Sequence, residues 1–217
     1  MIRGTHLTLS CYGHWQPNDP RGSGSRYVGS KKLYAVGGKA TKVETRHSVA
    51  HVPHDVCLRL KIKEALKYPP ILFSKQQIET VGLAFETLLE EKRIATFACT
   101  IVTDHVHLLL GRSDIYADDL ALLLKEAAVA ALLREGLHPR LLASNILAGT
   151  PAQGAGVPAK KKMEYTESLT AAASVWAVGH RKVFIDNAEQ MYVAIRYIEN
   201  HRAAQRWRFV VPYDGTF

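Results

Sequence analysis

Two apolar runs, Ile94 to Val102 and Val106 to Gly111, meet at the short polar turn Thr103-Asp104, and this pairing constrains the fold more than any other stretch of the chain. Apolar runs broken by a short turn predict a β-hairpin. The second strand opens with His105-Val106-His107. Residues i and i+2 of a strand point to the same face, so both imidazoles project together while Val106 and Leu108 point the other way into a core. Two parallel imidazoles are most of a metal site. A bare His-x-His on a strand more often has a purely structural role, so the rest of the chain must supply partners.

Around the hairpin, β-prone alternation predicts a first strand from His6 to Tyr12, followed by a turn-rich stretch from Gly13 to Gly24. Residues 23–53, rich in Gly, Ser, Lys and Arg, read as a basic excursion with a short strand near Arg26 to Val28. A short helix is expected from Val56 to Lys67, ended by Tyr68-Pro69-Pro70. A longer one, capped by Ser74, is expected from Lys75 to about Lys92, burying Ile78, Val81, Leu83, Phe85, Leu88 and Leu89. Asp118 to Glu135 is Ala/Leu-rich and helical, ending at Gly136. The stretch 145–173 reads as a flexible linker. Ser174 to Val178 and Lys182 to Ile185 are strand candidates. Asp186 or Asn187 caps a helix to about His201, and Trp207 to Val211 is strand-like.

With 217 residues the chain is long enough for one domain carrying insertions, and 28 Lys+Arg against 20 Asp+Glu leave a net +8 that favours a polyanionic partner. Cys11, Cys57 and Cys99 are far apart and odd in number, which argues against a disulfide framework or a zinc ribbon and fits a reducing cytoplasm. No apolar run reaches the ~20 residues of a membrane helix, and no signal-peptide segment opens the chain. A soluble cytoplasmic protein with no membrane association is expected.

In the last helix Ala188, Met191, Ile195 and Ile198 recur at core spacing. Tyr197 and His201 are four apart and share a neighbouring face. A third imidazole and a phenol could thus join the His pair. Two histidines plus one more ligand leave open positions on a divalent ion, which could polarise a phosphodiester that a tyrosine attacks. A phenol has an ordinary pKa of about 10, so it needs help from the metal or from a cation such as Arg196.

These residues carry a resemblance. TDHVHLLL at 103–110, followed by a helix with Lys125, then RYIENH at 196–201, is similar to the single-tyrosine HUH transposases of the insertion-sequence and REP-associated kind. YGHWQPNDPRG at 12–22 resembles a subgroup of them. The resemblance implies an α+β fold, a central antiparallel β-sheet flanked by helices (the ferredoxin/RRM-like HUH nuclease fold), with the histidine strand central and the tyrosine helix packed against it. It implies metal-dependent nicking of single-stranded DNA beside hairpins or repeats, with Mg²⁺ or Mn²⁺, through a 5′-phosphotyrosine that frees a 3′-OH. His105 and His107 become metal ligands and Tyr197 the nucleophile. Where the family usually has Gln or Asn as third ligand, this chain has His201, with Asn200 as the alternative. A homodimer exchanging the tyrosine helix and a monomer acting in cis are both compatible with the resemblance.

Lys31, Lys32, Lys125, Arg181, Lys182, Arg196 and Arg202 are the candidate DNA contacts, and Trp15 or Tyr27 the candidate base-stacking rings. His47, His51 and His54 read as a surface cluster, because Pro53 interrupts any helical ligand face. His6-Leu7-Thr8 is half of the paired His-x-Thr pattern of small RNA-ligating enzymes, and no second half exists. Two other functions compete: a non-catalytic nucleic-acid-binding regulator with the same fold, and a phosphodiesterase that uses water.

Overall fold

Alternation along the hairpin governs the architecture, because it gives one sheet two different faces. The computed structural model describes residues 3–45, 48–141, 175–201 and 207–209. In chain order these form β1 (Gly4–Ser10), α1 (Lys31–Gly37), α2 (Val56–Glu64), α3 (Lys75–Glu91), β2 (Thr96–Ile101), β3 (His105–Gly111), α4 (Ala117–Arg134), β4 (Arg181–Ile185), α5 (Ala188–Glu199) and β5 (Trp207–Phe209). The five strands make one antiparallel sheet in the order β4-β1-β3-β2-β5, with the histidine strand at its centre. The fold is α+β, as expected.

One face buries Leu7 and Leu9 of β1, Cys99 and Ile101 of β2, and Val106, Leu108 and Leu110 of β3 against α3 and α4. The opposite face carries Ala98 and Leu109 under α5, which contributes Met191, Ala194 and Ile198. Leu109 therefore belongs to the second core while its neighbours Leu108 and Leu110 belong to the first, as period-two alternation requires. A third, small cluster of Leu33, Ile62 and Ala65 joins α1 to α2.

Helix ends follow local chemistry. Ser74 and Gln77 form a reciprocal capping box at the start of α3, and Asn187 caps α5 through the Gln190 amide. Past α4 the chain turns at Gly136 with φ +68°, a conformation glycine adopts without strain. At Gly82 in α3, an added Cβ would lie 2.6 Å from the Trp207 ring, so the missing side chain is what lets β5 dock.

Several expectations needed correction. Arg26 to Val28 forms no strand. The excursion is instead tied by a Ser23–Lys42 bridge and folds into α1, whose N-terminus the Ser30 hydroxyl caps. The helix expected to reach Lys67 ends at Glu64. Val175 to Val178 contributes only an isolated bridge from Trp176 to Cys11, because β1 ends at Ser10 and β4 already occupies its free edge. Leu83 is exposed, as is Ala188, whose place in the core Ala194 takes. The proposed linker 145–173 lies outside the described residues. Among the described residues no helix is long and apolar enough to cross a membrane.

Candidate active site

The sheet face under α5 collects the polar residues. β3 presents His105 and His107 there, and the antiparallel register sets Thr8 of β1 opposite His107, with His6 two residues along on the same face. On the other side of His107 stands Thr100 of β2, whose hydroxyl donates to the Ile198 carbonyl at 2.9 Å. That bond pins the C-terminal turn of α5 above the histidine strand. Tyr197 precedes the pinned residue, and His201 follows in the turn, its amide donating to the same carbonyl.

The consequence is a cluster drawn from both ends of the chain. The Nε2 atoms of His105 and His201 are 3.1 Å apart. Ring centroids of His105 and His107 lie 4.8 Å apart, those of His107 and His201 5.4 Å, and those of His107 and Tyr197 5.2 Å. One nitrogen from each of the three histidines falls within 4.8 Å of the others. A separation of 3.1 Å suits two nitrogens sharing one ion through bonds of about 2.1 Å.

Neighbouring groups settle how these rings are held. The Asp104 carboxylate lies 2.7 Å from His105 Nδ1, and because a carboxylate only accepts, Nδ1 carries the proton and the Nε2 lone pair faces His201. This is the carboxylate–histidine pairing that orients metal ligands. His107 Nδ1 sits 3.1 Å from His6 Nε2 and 3.2 Å from Thr8 Oγ1, leaving its Nε2 for a ligand. Behind Asp104, His14 Nδ1 stands at 3.6 Å while its Nε2–H donates to the Ile71 carbonyl at 2.8 Å.

Electrostatics keep the cluster ready for a cation. Burial, reinforced by Arg181, pushes His6 down to about 4. Burial likewise holds His107 far below the usual histidine range, helped by His105, His6, His201 and Arg181. For Asp104, burial acts upward, but the hydrogen bond and charge of His105 and the charge of His14 outweigh it, so the carboxyl is lowered. Metal binding requires a neutral imidazole, the form that burial favours at His107. The three histidines thus fit a divalent transition ion, and nitrogen-only donors suit Mn²⁺ or later metals better than Mg²⁺.

The other candidate residues divide sharply. Arg181, opposite Thr8 on β4, is half-buried; burial lowers its pKa while the facing Tyr197 raises it, which makes it the cation beside the phenol. Arg196, expected in that role, instead stands 5.9 Å over the exposed Tyr192 ring. Asn200 is exposed and caps α5, whereas His201 lies with His105 and His107 in a group that could hold an ion. Lys125 is buried, and its ammonium donates to the carbonyls of Ala177, Val178 and Gly179 at 2.9, 3.2 and 3.1 Å. Expected along DNA, it braces the approach to β4 instead. Lys182 pairs with Asp118, while Lys31 and Lys32 are exposed on α1. Arg202 lies outside the described residues. Trp15 is covered by Arg21 at 3.9 Å, whereas Tyr27 is 77% exposed. His47 lies outside the described residues, and neither His51 nor His54 joins a ligand cluster among them.

His6, Thr8, Asp104 and His14 belong to the site without having been singled out for it. The signal for the first two was present as an i, i+2 pair on a strand, and for Asp104 as a carboxylate next to a ligand. What was missing was the register that brings β1 against β3.

No family model and no curated protein matches the sequence. Among solved structures, the chain is similar to a REP-associated tyrosine transposase bound to a REP hairpin, at 7% identity and a TM-score of 0.39, over 91% of this chain and 66% of that one. The likeness is a distant structural one, and the chain spans just under two thirds of the length of that protein.

Proposed function

We propose that this protein nicks and rejoins single-stranded DNA through a covalent bond to Tyr197, with a divalent metal held by His105, His107 and His201. The observation that carries the reading is the convergence of three imidazoles and one phenol on a single sheet face, with Tyr197 and His107 rings 5.2 Å apart. A structural role for the histidines would leave no reason to hold a 45% exposed tyrosine over them.

When bound, the ion would polarise a phosphodiester oxygen and offset the charge that develops at phosphorus. The chain's own groups do the rest. Tyr197 Oη attacks phosphorus, its proton leaving to solvent at the exposed ring, and the bond from phosphorus to the 3′ oxygen breaks. The departing oxygen takes up a proton to become a 3′-OH, while the 5′ phosphate stays on Tyr197. Arg181 stabilises the phenolate and the phosphoryl charge together. Asp104 and Thr8 keep His105 and His107 in the ligand-ready tautomers. Because the phosphotyrosine preserves the ester, the reverse attack by a 3′-OH rejoins DNA, as strand transfer at a hairpin or repeat would need.

The test is incubation with hairpin-bearing single-stranded oligonucleotides and Mn²⁺ or Mg²⁺, followed by denaturing electrophoresis. A protein–DNA adduct that is stronger with Mn²⁺ and absent in Tyr197→Phe is expected. Cleavage without an adduct means a water-using phosphodiesterase, and binding without cleavage means a regulator. Either result refutes the proposal.

A further inference from the structure

The histidine cluster explains where a phosphate reacts and leaves open how the rest of the strand is held. A second group of cations lies beside it, on the helix pair that follows the first strand. Arg59 and Lys63 are four apart on α2, one above the other. Lys67 follows in the turn after the helix, and with Leu60, Lys63, Tyr68, Pro69 and Pro70 it lines a shallow depression in which Glu64 is the acid. We propose that this depression, with Arg59, Lys63 and Lys67 as phosphate contacts and Tyr68 as a base-stacking ring, is the track along which single-stranded DNA reaches the histidine cluster. The inference rests on the function proposed above and adds to it the surface that holds the strand.

Three observations point the same way. The first is continuity. The depression ends at Pro70, the neighbouring Ile71 carbonyl accepts from His14 at 2.8 Å, and His14 faces Asp104, which orients His105. The second is unmet hydrogen-bonding capacity. Arg59 Nε, and Nε and Nη2 of Arg140, are buried without a hydrogen-bond partner among the described residues. The Arg140 guanidinium stands 5.0 Å from the Tyr12 ring and 5.2 Å from the Tyr68 ring, fixed by a bond from Nη1 to the Pro69 carbonyl. Buried guanidinium donors are normally satisfied, so both side chains keep hydrogen-bonding capacity that no acceptor among the described residues fills.

The third observation is concentrated positive charge. Burial lowers the Lys63 pKa, and repulsion from Arg59 and Arg21 adds to it, with only Asp19 and Asp104 opposing. Cations crowded together in this way are relieved by a polyanion. The alternation of cations with two prolines and a half-buried aromatic ring, over which the Lys67 ammonium stands at 5.1 Å, suits a chain of phosphates and bases better than a lipid surface or an acidic peptide. From sequence these residues have no binding role, because Val56 to Lys67 reads simply as a short helix ended by Tyr68-Pro69-Pro70.

The experiment measures binding of a fluorescent single-stranded oligonucleotide to the full chain by anisotropy, in EDTA, across a salt series. Three variants are compared with wild type. The first replaces Arg59, Lys63 and Lys67 by Gln. The second replaces Lys75, Lys92 and Arg134, exposed on α3, just past its end and on α4, by Gln and so removes equal charge outside α2 and the turn after it. The third is Tyr68→Ala. Each single-strand phosphate contact contributes about 0.7 to the slope of log affinity on log salt, so the first variant is expected to lose about 2 in slope and about 100-fold in affinity near 0.1 M salt. The second variant should keep the wild-type slope, and Tyr68→Ala should lose about 10-fold in affinity with its slope intact.

Urea midpoints check folding, and should the triple variant fail to fold, the exposed Lys67→Gln alone is expected to lose about 0.7 in slope. Equal slopes for the two triple variants, or an unchanged Lys67→Gln, would overturn the inference. Failure of the nicking assay with these binding results intact would refute the catalytic proposal and leave the track standing. A wild type that binds no single-stranded DNA would overturn both.

Discussion

Two histidines held neutral inside the metal-free fold make its stability depend on acid, and the size of that dependence follows from their burial. His6 has an ordinary value of 6.5 and a folded value of about 4, and His107 is lowered further. Between those values the unfolded chain binds a proton that the folded chain refuses, so unfolding free energy rises with pH and falls on acidification. The loss starts near pH 6.5 and, for His6, is complete near pH 4; His107 goes on contributing below that. From about pH 7.5 to about pH 5, each group is worth about 2 kcal/mol.

The two rings touch in the folded state but are independent in the unfolded chain, so their contributions add to about 4 kcal/mol. That is a large part of a typical domain's stability of about 5–15 kcal/mol. Urea titrations in EDTA across this range measure it. His6→Gln isolates the effect, since it removes one proton from the linkage while every other titrating group stays in place. Its pH slope should be shallower than wild type by about 1.2 kcal/mol per pH unit near pH 5.5. Equal slopes in the two proteins, or a wild type whose stability is flat or rising on acidification, would refute the reasoning.

Asp104→Asn keeps the size of the side chain and removes the charge that orients His105, and is expected to weaken Mn²⁺ binding by about 10–100-fold in calorimetry. An unchanged affinity would show that His105 needs no such support. Lys125→Met leaves three carbonyls without their shared donor and should lower stability by about 1–3 kcal/mol in urea, with faster amide exchange at Val178 and Gly179. A midpoint at the wild-type value would return Lys125 to the surface role expected from sequence.

The parts of the fold legible in the sequence are those set by neighbours along the chain. The hairpin, the shared direction of His105 and His107, the capping box at Ser74 and the Asn187 cap all depend on residues within a few positions of one another. The pairing of Tyr197 with His201 was legible for the same reason. Thr8 against His107, and Arg181 rather than Arg196 beside Tyr197, depend on strand order and register across more than ninety positions, which local periodicity does not encode. Lys125 misled because a lysine on an amphipathic helix is ordinarily solvated, whereas here three backbone carbonyls draw it inward.

The two cores also divide the site between them. His105 and His107 ride on a strand whose other face is packed into the larger core, whereas Tyr197 and His201 are carried by a helix that buries Met191, Ala194 and Ile198 against Ala98, Leu109 and Ile185. A smaller buried surface gives a lower free energy of local opening, so α5 lifts more readily than the helices packed on the larger core. An ion shared by His201 and the strand histidines would rivet the two units together, and its departure would free the tyrosine with whatever it carries. Holding a nucleophile in place and letting its cargo swing away would then be two settings of one fastening.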